Sequence, residues 1–147
     1  MRRILILLAL VALAAVPATR DASAQSARYK VVVNMSNNVS AISAGELSKI
    51  FLRNATIWPN GEPVLPVDLS DASPVREAFA RDVLHRDAAA LTAYWQQQIF
   101  AGRAVPPPAR TSEEDVLEFV RRYPGAIGYV SMEASVGPRA RVIAILP

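Results

Sequence analysis

The chain has 147 residues, with 16 Lys and Arg against 13 Asp and Glu and an apolar fraction of 52%. That balance excludes a disordered or collagen-like chain, and the length is that of roughly one domain. With no Cys and one His, His85, disulfides, thiolate metal sites and cysteine nucleophiles are excluded, and binding through hydroxyls, arginines and backbone amides is expected before catalysis.

Arg2 and Arg3 precede an apolar run over residues 4–16, and Ala22-Ser23-Ala24 follows as a small-x-small pattern. This reads as a secretory signal peptide over residues 1–24, leaving one domain over residues 25–147. The apolar run is well short of the roughly 20 residues that span a bilayer. Without Arg2, Arg3, Arg20 and Asp21 the remaining chain carries 13 basic and 12 acidic side chains, a net charge of +1. No basic run exceeds Arg121-Arg122, so a nucleic-acid partner is not expected. Export and Arg-rich, Ala-rich usage point to the periplasm.

Residues 29–34, with three consecutive valines, read as a buried strand, followed by a polar loop over 35–39. Ser43-Ala44-Gly45-Glu46 has the pattern of a capping box, and Ile42 and Leu47 that of a hydrophobic staple, so a helix starts there and buries Leu47, Ile50 and Phe51. Trp58-Pro59-Asn60-Gly61 marks a turn anchored by the indole. Residues 64–69 form a second strand, held to a sheet edge or a bulge by its prolines.

Ser73-Pro74 combines an N-cap with a proline at the first helical position, and the helix carries Val75, Ala78, Phe79 and Val83 inward until it stops near His85. Asp87 caps the next helix, with Leu91, Tyr94 or Trp95, and Ile99 as its buried stripe and Gly102 past its end. Pro106-Pro107-Pro108 makes an extended connector. Thr111 or Ser112 caps a helix with acids first and Arg121-Arg122 last, matching the helix dipole, and with Val116, Phe119 and Val120 inward. Strands over 126–130 and 142–146 close the chain, the first holding Gly128 where another backbone or side chain comes close. The pattern is one α/β layered domain.

Three stretches carry a resemblance: Ile50-Phe51-Leu52 through Trp58; residues 73–79; and Tyr123-Pro124-Gly125-Ala126-Ile127-Gly128-Tyr129-Val130. In this order, over residues 31–130, they resemble the phosphate-binding proteins of ABC importers, in the type II periplasmic binding protein family. The resemblance implies an α/β fold equal to a single lobe of such a protein, a central mixed β-sheet flanked by helices, and no enzymatic activity. It also implies a phosphate-like oxyanion bound at Ser73, Val75 and Arg76, with Ser36 and Ser70, and a membrane transporter or sensor as partner. Backbone amides and a helix dipole favour an anion at such a helix start. Pro74 and Val75 stand where the family has a glycine and a threonine, and Asp68 and Asp71 would repel an anion. Arg76 then either compensates as a cation or pairs with Asp71 or Asp82. The alternative is a ligand-free interaction module of the cell envelope that docks to another protein or forms a homodimer. No metal or other cofactor is expected. His85 suits a helix C-terminus, the acids at 113–115 suit a helix start, and no Gly-x-Ser-x-Gly elbow or two-histidine metal motif occurs.

Overall fold

In a computed structural model, residues 29–147 are described; the expected signal peptide lies outside them. The valine run forms β1 (Tyr29–Asn34), and Val31, Val32 and Val33 are wholly buried. Ser43 caps α1 (Ala44–Phe51) in a complete capping box, its hydroxyl accepting from the Glu46 amide while the Glu46 carboxylate accepts from the Ser43 amide. The cap itself belongs to a short strand that the sequence pattern does not reveal, β2 (Ala41–Ser43), which pairs in parallel with β7 (Ala140–Leu146).

The expected strand over 64–69 is two. Leu65 and Val67 donate their amides to Gly125 and Ile127, whereas Asp68 and Ser70 donate theirs to Pro108 and Arg110. The chain therefore switches partners at Val67, giving β3 (Leu65–Pro66) against β6 (Ala126–Ser131) and β4 (Asp68–Leu69) against β5 (Ala109–Arg110). Pro66 has no amide to donate, so β3 occupies the edge that the proline demands. The short β5 directly after the triple proline is likewise additional to the sequence reading.

The Ser73-Pro74 helix begins as α2 (Pro74–Phe79) and ends in a π-helical turn (Ala80–Leu84), with His85 left-handed at φ 52° as its cap. Asp87 caps α3 (Ala88–Phe100), which buries Leu91 and Trp95. Tyr94 is half-buried and its hydroxyl donates to the Leu52 carbonyl. The expectation for Ile99 is corrected: the last turn of α3 runs past the core, and Ile99 is 52% exposed. In α4 (Glu113–Arg122), capped by Ser112, the inward residues are Val116, Leu117 and Val120. Phe119 sits at the margin under the Arg110 guanidinium, 5.3 Å from its ring centre.

The central mixed sheet has the order β2-β7-β1-β6-β3, with β1 antiparallel to both β6 and β7. Neighbouring residues of β6 point to opposite faces. Tyr129 meets α1 and α2 on one face, where Phe79 stacks on it at 3.9 Å and Phe51 and Tyr29 approach edge-on. Gly128 meets α4 on the other. A β-carbon at Gly128 would lie 2.8 Å from Val116 Cγ1 and 2.9 Å from Val67 Cγ1, and one at Gly125 would lie 2.1 Å from the Pro63 carbonyl oxygen. Trp58, buried, donates its indole N–H to the Gly125 carbonyl at 3.0 Å and so pins the 53–62 turn to the start of β6.

Urea unfolding checks these close approaches. Gly128→Ala should destabilise the fold by about 1–3 kcal/mol through overpacking, and Gly125→Ala by at least as much, because its obstruction is backbone that cannot rotate away.

Candidate anion-binding site

The five residues expected at the site do not all meet. Since β1 runs antiparallel to β6 and β3 runs parallel to it, the turn after β1 lies where β6 begins, while the chain leaving β3 and β4 emerges where β6 ends. Ser36 is therefore at the opposite end of the sheet from Ser70, Ser73, Val75 and Arg76. Its amide and hydroxyl both donate to Asn34 Oδ1, at 2.9 and 2.7 Å, and Asn34 in turn donates to the Val120 and Arg121 carbonyls at the end of α4. Ser36 fastens a turn to a helix, which accounts for the residue type without a ligand.

The other four share one turn. The Ser73 amide donates to the Ser70 carbonyl at 3.0 Å, closing the turn, and the Ser70 amide is taken by Arg110. Ser73 Oγ accepts from the Arg76 amide at 3.4 Å, the N-cap bond that its sequence position requires. Val75 turns its side chain into the core, so what it can present to an anion is its backbone.

Arg76 is held on two sides. Its Nε donates to Asp68 Oδ2 at 3.2 Å and a terminal nitrogen lies 2.5 Å from Asp71 Oδ1. Of its expected partners Asp71 is present; Asp68, which the sequence offers only as a repelling charge, is the second. Asp68 is buried and also accepts from its neighbour's amide at Leu69 and from the Tyr129 hydroxyl. Burial pushes the Asp68 carboxyl above its ordinary value, against the opposing pull of Arg76 and of the hydrogen bonds from Tyr129, Arg76 and Leu69. Burial also raises the Tyr129 phenol, reinforced by the Asp68 charge beside it, so Tyr129 stays a donor. Sequence spacing does not reveal the Asp68–Tyr129 pair. An Asp inside an otherwise apolar strand segment was its one signal, and its partner lies 61 positions away.

Beside the turn a hollow of about 330 Å³ opens, with Arg76, Arg81 and Arg86 facing Asp71, Glu77 and Asp87. Arg81 is paired with Glu77 and Asp82, whereas the Arg86 guanidinium lies over the Tyr94 ring at 4.9 Å. An anion that takes Arg76 or Arg81 has to displace a carboxylate, whereas Arg86 stands in none of the ion pairs among the described residues. Among the described residues no group of three or more His, Asp or Glu side chains is placed to hold a metal ion.

The architecture is a mixed sheet covered by helices, with a capped helix opening at the end of one strand. The family model described as the PBP superfamily domain matches residues 27–141, and the chain belongs to that superfamily of periplasmic binding proteins. Its fold is similar to that of a Clostridium perfringens protein assigned as a phosphate ABC transporter substrate-binding protein and solved with phosphate bound. There the identity is 18% and the TM-score 0.62, over 80% of this chain and 44% of that one. It is also similar to an ABC-type phosphate transport receptor of Vibrio cholerae, at 15% identity and TM-score 0.58 over 80% and 46% of the two chains. PstS of Borrelia burgdorferi matches at 11% identity and TM-score 0.62, over 80% and 47%. The chain thus spans less than half the length of each of these proteins. No curated protein matches it in sequence.

Two outcomes test the electrostatics of the turn. The folded Asp68 carboxyl titrates above its unfolded value near 3.8. Its contribution to stability is therefore complete below that pH and is lost as the pH rises through the folded midpoint. The stability of the parent relative to Asp68→Asn, measured by urea unfolding, should fall over this window. Arg76→Ala removes a cation that favours the carboxylate, so the Asp68 midpoint followed by carbon-13 NMR should move further up.

Proposed function

We propose that the chain is an exported solute-binding domain that recognises a small oxyanion, phosphate in the first place, at the turn formed by Ser70, Ser73, Val75 and Arg76. Residues 1–24 act as its signal peptide and it works in the periplasm, handing its solute to a membrane transporter or reporting it to a membrane sensor. One observation supports the reading: in a PBP superfamily domain, Ser73 caps the helix that follows β4, with Ser70 in the same turn and Arg76 in the first turn of that helix. The likeness to a structure holding phosphate supports the choice of anion. The reading requires the anion to replace Asp71 on Arg76, and Asp71, whose side chain is 87% exposed, can swing away at little cost.

A second reading has its own support. Pro74 offers no amide, Val75 no hydroxyl, and Asp68 and Asp71 already satisfy Arg76. On that reading the lobe is a ligand-free module of the cell envelope that docks to another protein or to a second copy of itself.

Calorimetry and thermal unfolding with phosphate and with sulfate separate the two. Under the first reading, ligand at about 100 times its dissociation constant adds roughly 2.7 kcal/mol of stability. Asp71→Asn should then tighten binding by up to about fivefold, the most an exposed ion pair is usually worth, and Arg76→Ala should abolish it. No heat and no thermal shift with millimolar phosphate or sulfate would sink the oxyanion reading; a dimer in light scattering would then favour the interaction module.

A further inference from the structure

The corner where α1 and α3 end exposes large apolar side chains beside arginines. Phe100, the last residue of α3, is 91% exposed, and Ile99, Val105 and Ile57 are 52, 64 and 64% exposed. Two separate segments, around residues 53–57 and 99–105, bring these side chains out, so their exposure is not the fraying of one loop. Tight turns hold them there. Gly102 N–H donates to the Ile99 carbonyl and Arg103 N–H to the Gln98 carbonyl, while Arg53, left-handed at φ 60°, closes the end of α1 by donating its N–H to the Ile50 carbonyl.

Between these segments lies an open hollow of about 410 Å³ that includes Arg53, Thr56, Ile99, Arg103 and Val105 in its wall and no carboxylate. Among the described residues neither Arg53 nor Arg103 stands within ion-pair distance of an acid. The hollow beside Arg76, by contrast, sets three acids among three arginines. Unpaired guanidiniums beside exposed aliphatic and aromatic side chains match a surface that is anionic at the level of its head groups and apolar just beneath.

We propose that this corner docks onto an anionic phospholipid bilayer. Arg53 and Arg103 take lipid phosphates, and Ile57, Ile99, Phe100 and Val105 settle at the boundary of the acyl chains. Guanidinium forks suit phosphate oxygens, and the arginine stems can lie along the apolar side chains. Contact of this size is weak and reversible, and it leaves the Ser70–Arg76 turn on a different part of the molecule.

Co-sedimentation with vesicles tests the assignment, using the exported protein with its N-terminus fixed by mass spectrometry and shared by every variant. At low salt the parent should bind vesicles of phosphatidylglycerol and phosphatidylcholine in equal parts, bind pure phosphatidylcholine at least about tenfold more weakly, and release as salt is raised. Arg53→Gln with Arg103→Gln should weaken binding roughly 25-fold, about fivefold for each arginine. Phe100→Ser with Val105→Ser should weaken it by about tenfold or more. All these positions are exposed or flank the hollow, and an unchanged circular dichroism spectrum verifies the fold of each variant. A parent that ignores phosphatidylglycerol vesicles, or variants that bind as well as the parent, overturns the proposal and leaves the corner to a protein partner.

Discussion

Tyr129 is wholly buried in the central sheet, and its phenol is tolerated there because Asp68 accepts its hydrogen bond. An unpaired hydroxyl in that place would cost several kcal/mol, and an unpaired carboxylate more. Each group makes the other's burial acceptable, and Arg76 balances the charge they share. Three pieces of the chain meet at this knot: the β3–β4 segment, β6 and α2. Stacking of Phe79 on Tyr129 holds the helix against the sheet by apolar contact, while Arg76 holds it by charge. The direction in which α2 leaves the sheet, and so the placing of the Ser70–Ser73 turn, follows from these two attachments.

The same knot limits the chemistry of the turn. Asp68 cannot be removed from Arg76 without leaving a buried acid beside a phenol, whereas Asp71 is free to move. Arg76 therefore has one structural bond and one exchangeable bond. An exchangeable bond on a guanidinium at a helix start is how a surface of nearly neutral charge can still respond to an anion, and the strength of that response depends on how readily Asp71 gives way.

What was legible in the sequence was local. Ser43, Ser73, Asp87 and the Thr111-Ser112 pair are readable as caps because capping needs only a side chain and an amide three residues on, and Gly128 is readable as a point of close approach because a glycine inside a strand marks one. The non-local features were hidden. β2 has no pattern of its own in three residues and exists because β7 offers an edge; the 64–69 segment divides because β5, some forty residues later, competes for its amides. The family likeness groups Ser36 with Ser73, and only the antiparallel register of β1 and β6 separates them. The Asp68–Tyr129 bond could not be read from spacing, since burial, not sequence distance, makes the pair.

The two strands at the margins of the central sheet are β2, of three residues, and β3, of two with a proline in it. Such margins offer a foreign strand hardly any free donors or acceptors, so recruitment of another chain by sheet extension has little to build on. Contacts with other chains are then left to side chains, whose specificity can be tuned one residue at a time. That arrangement gives the domain a resistance to amyloid-like stacking that its valine-rich interior would not by itself provide.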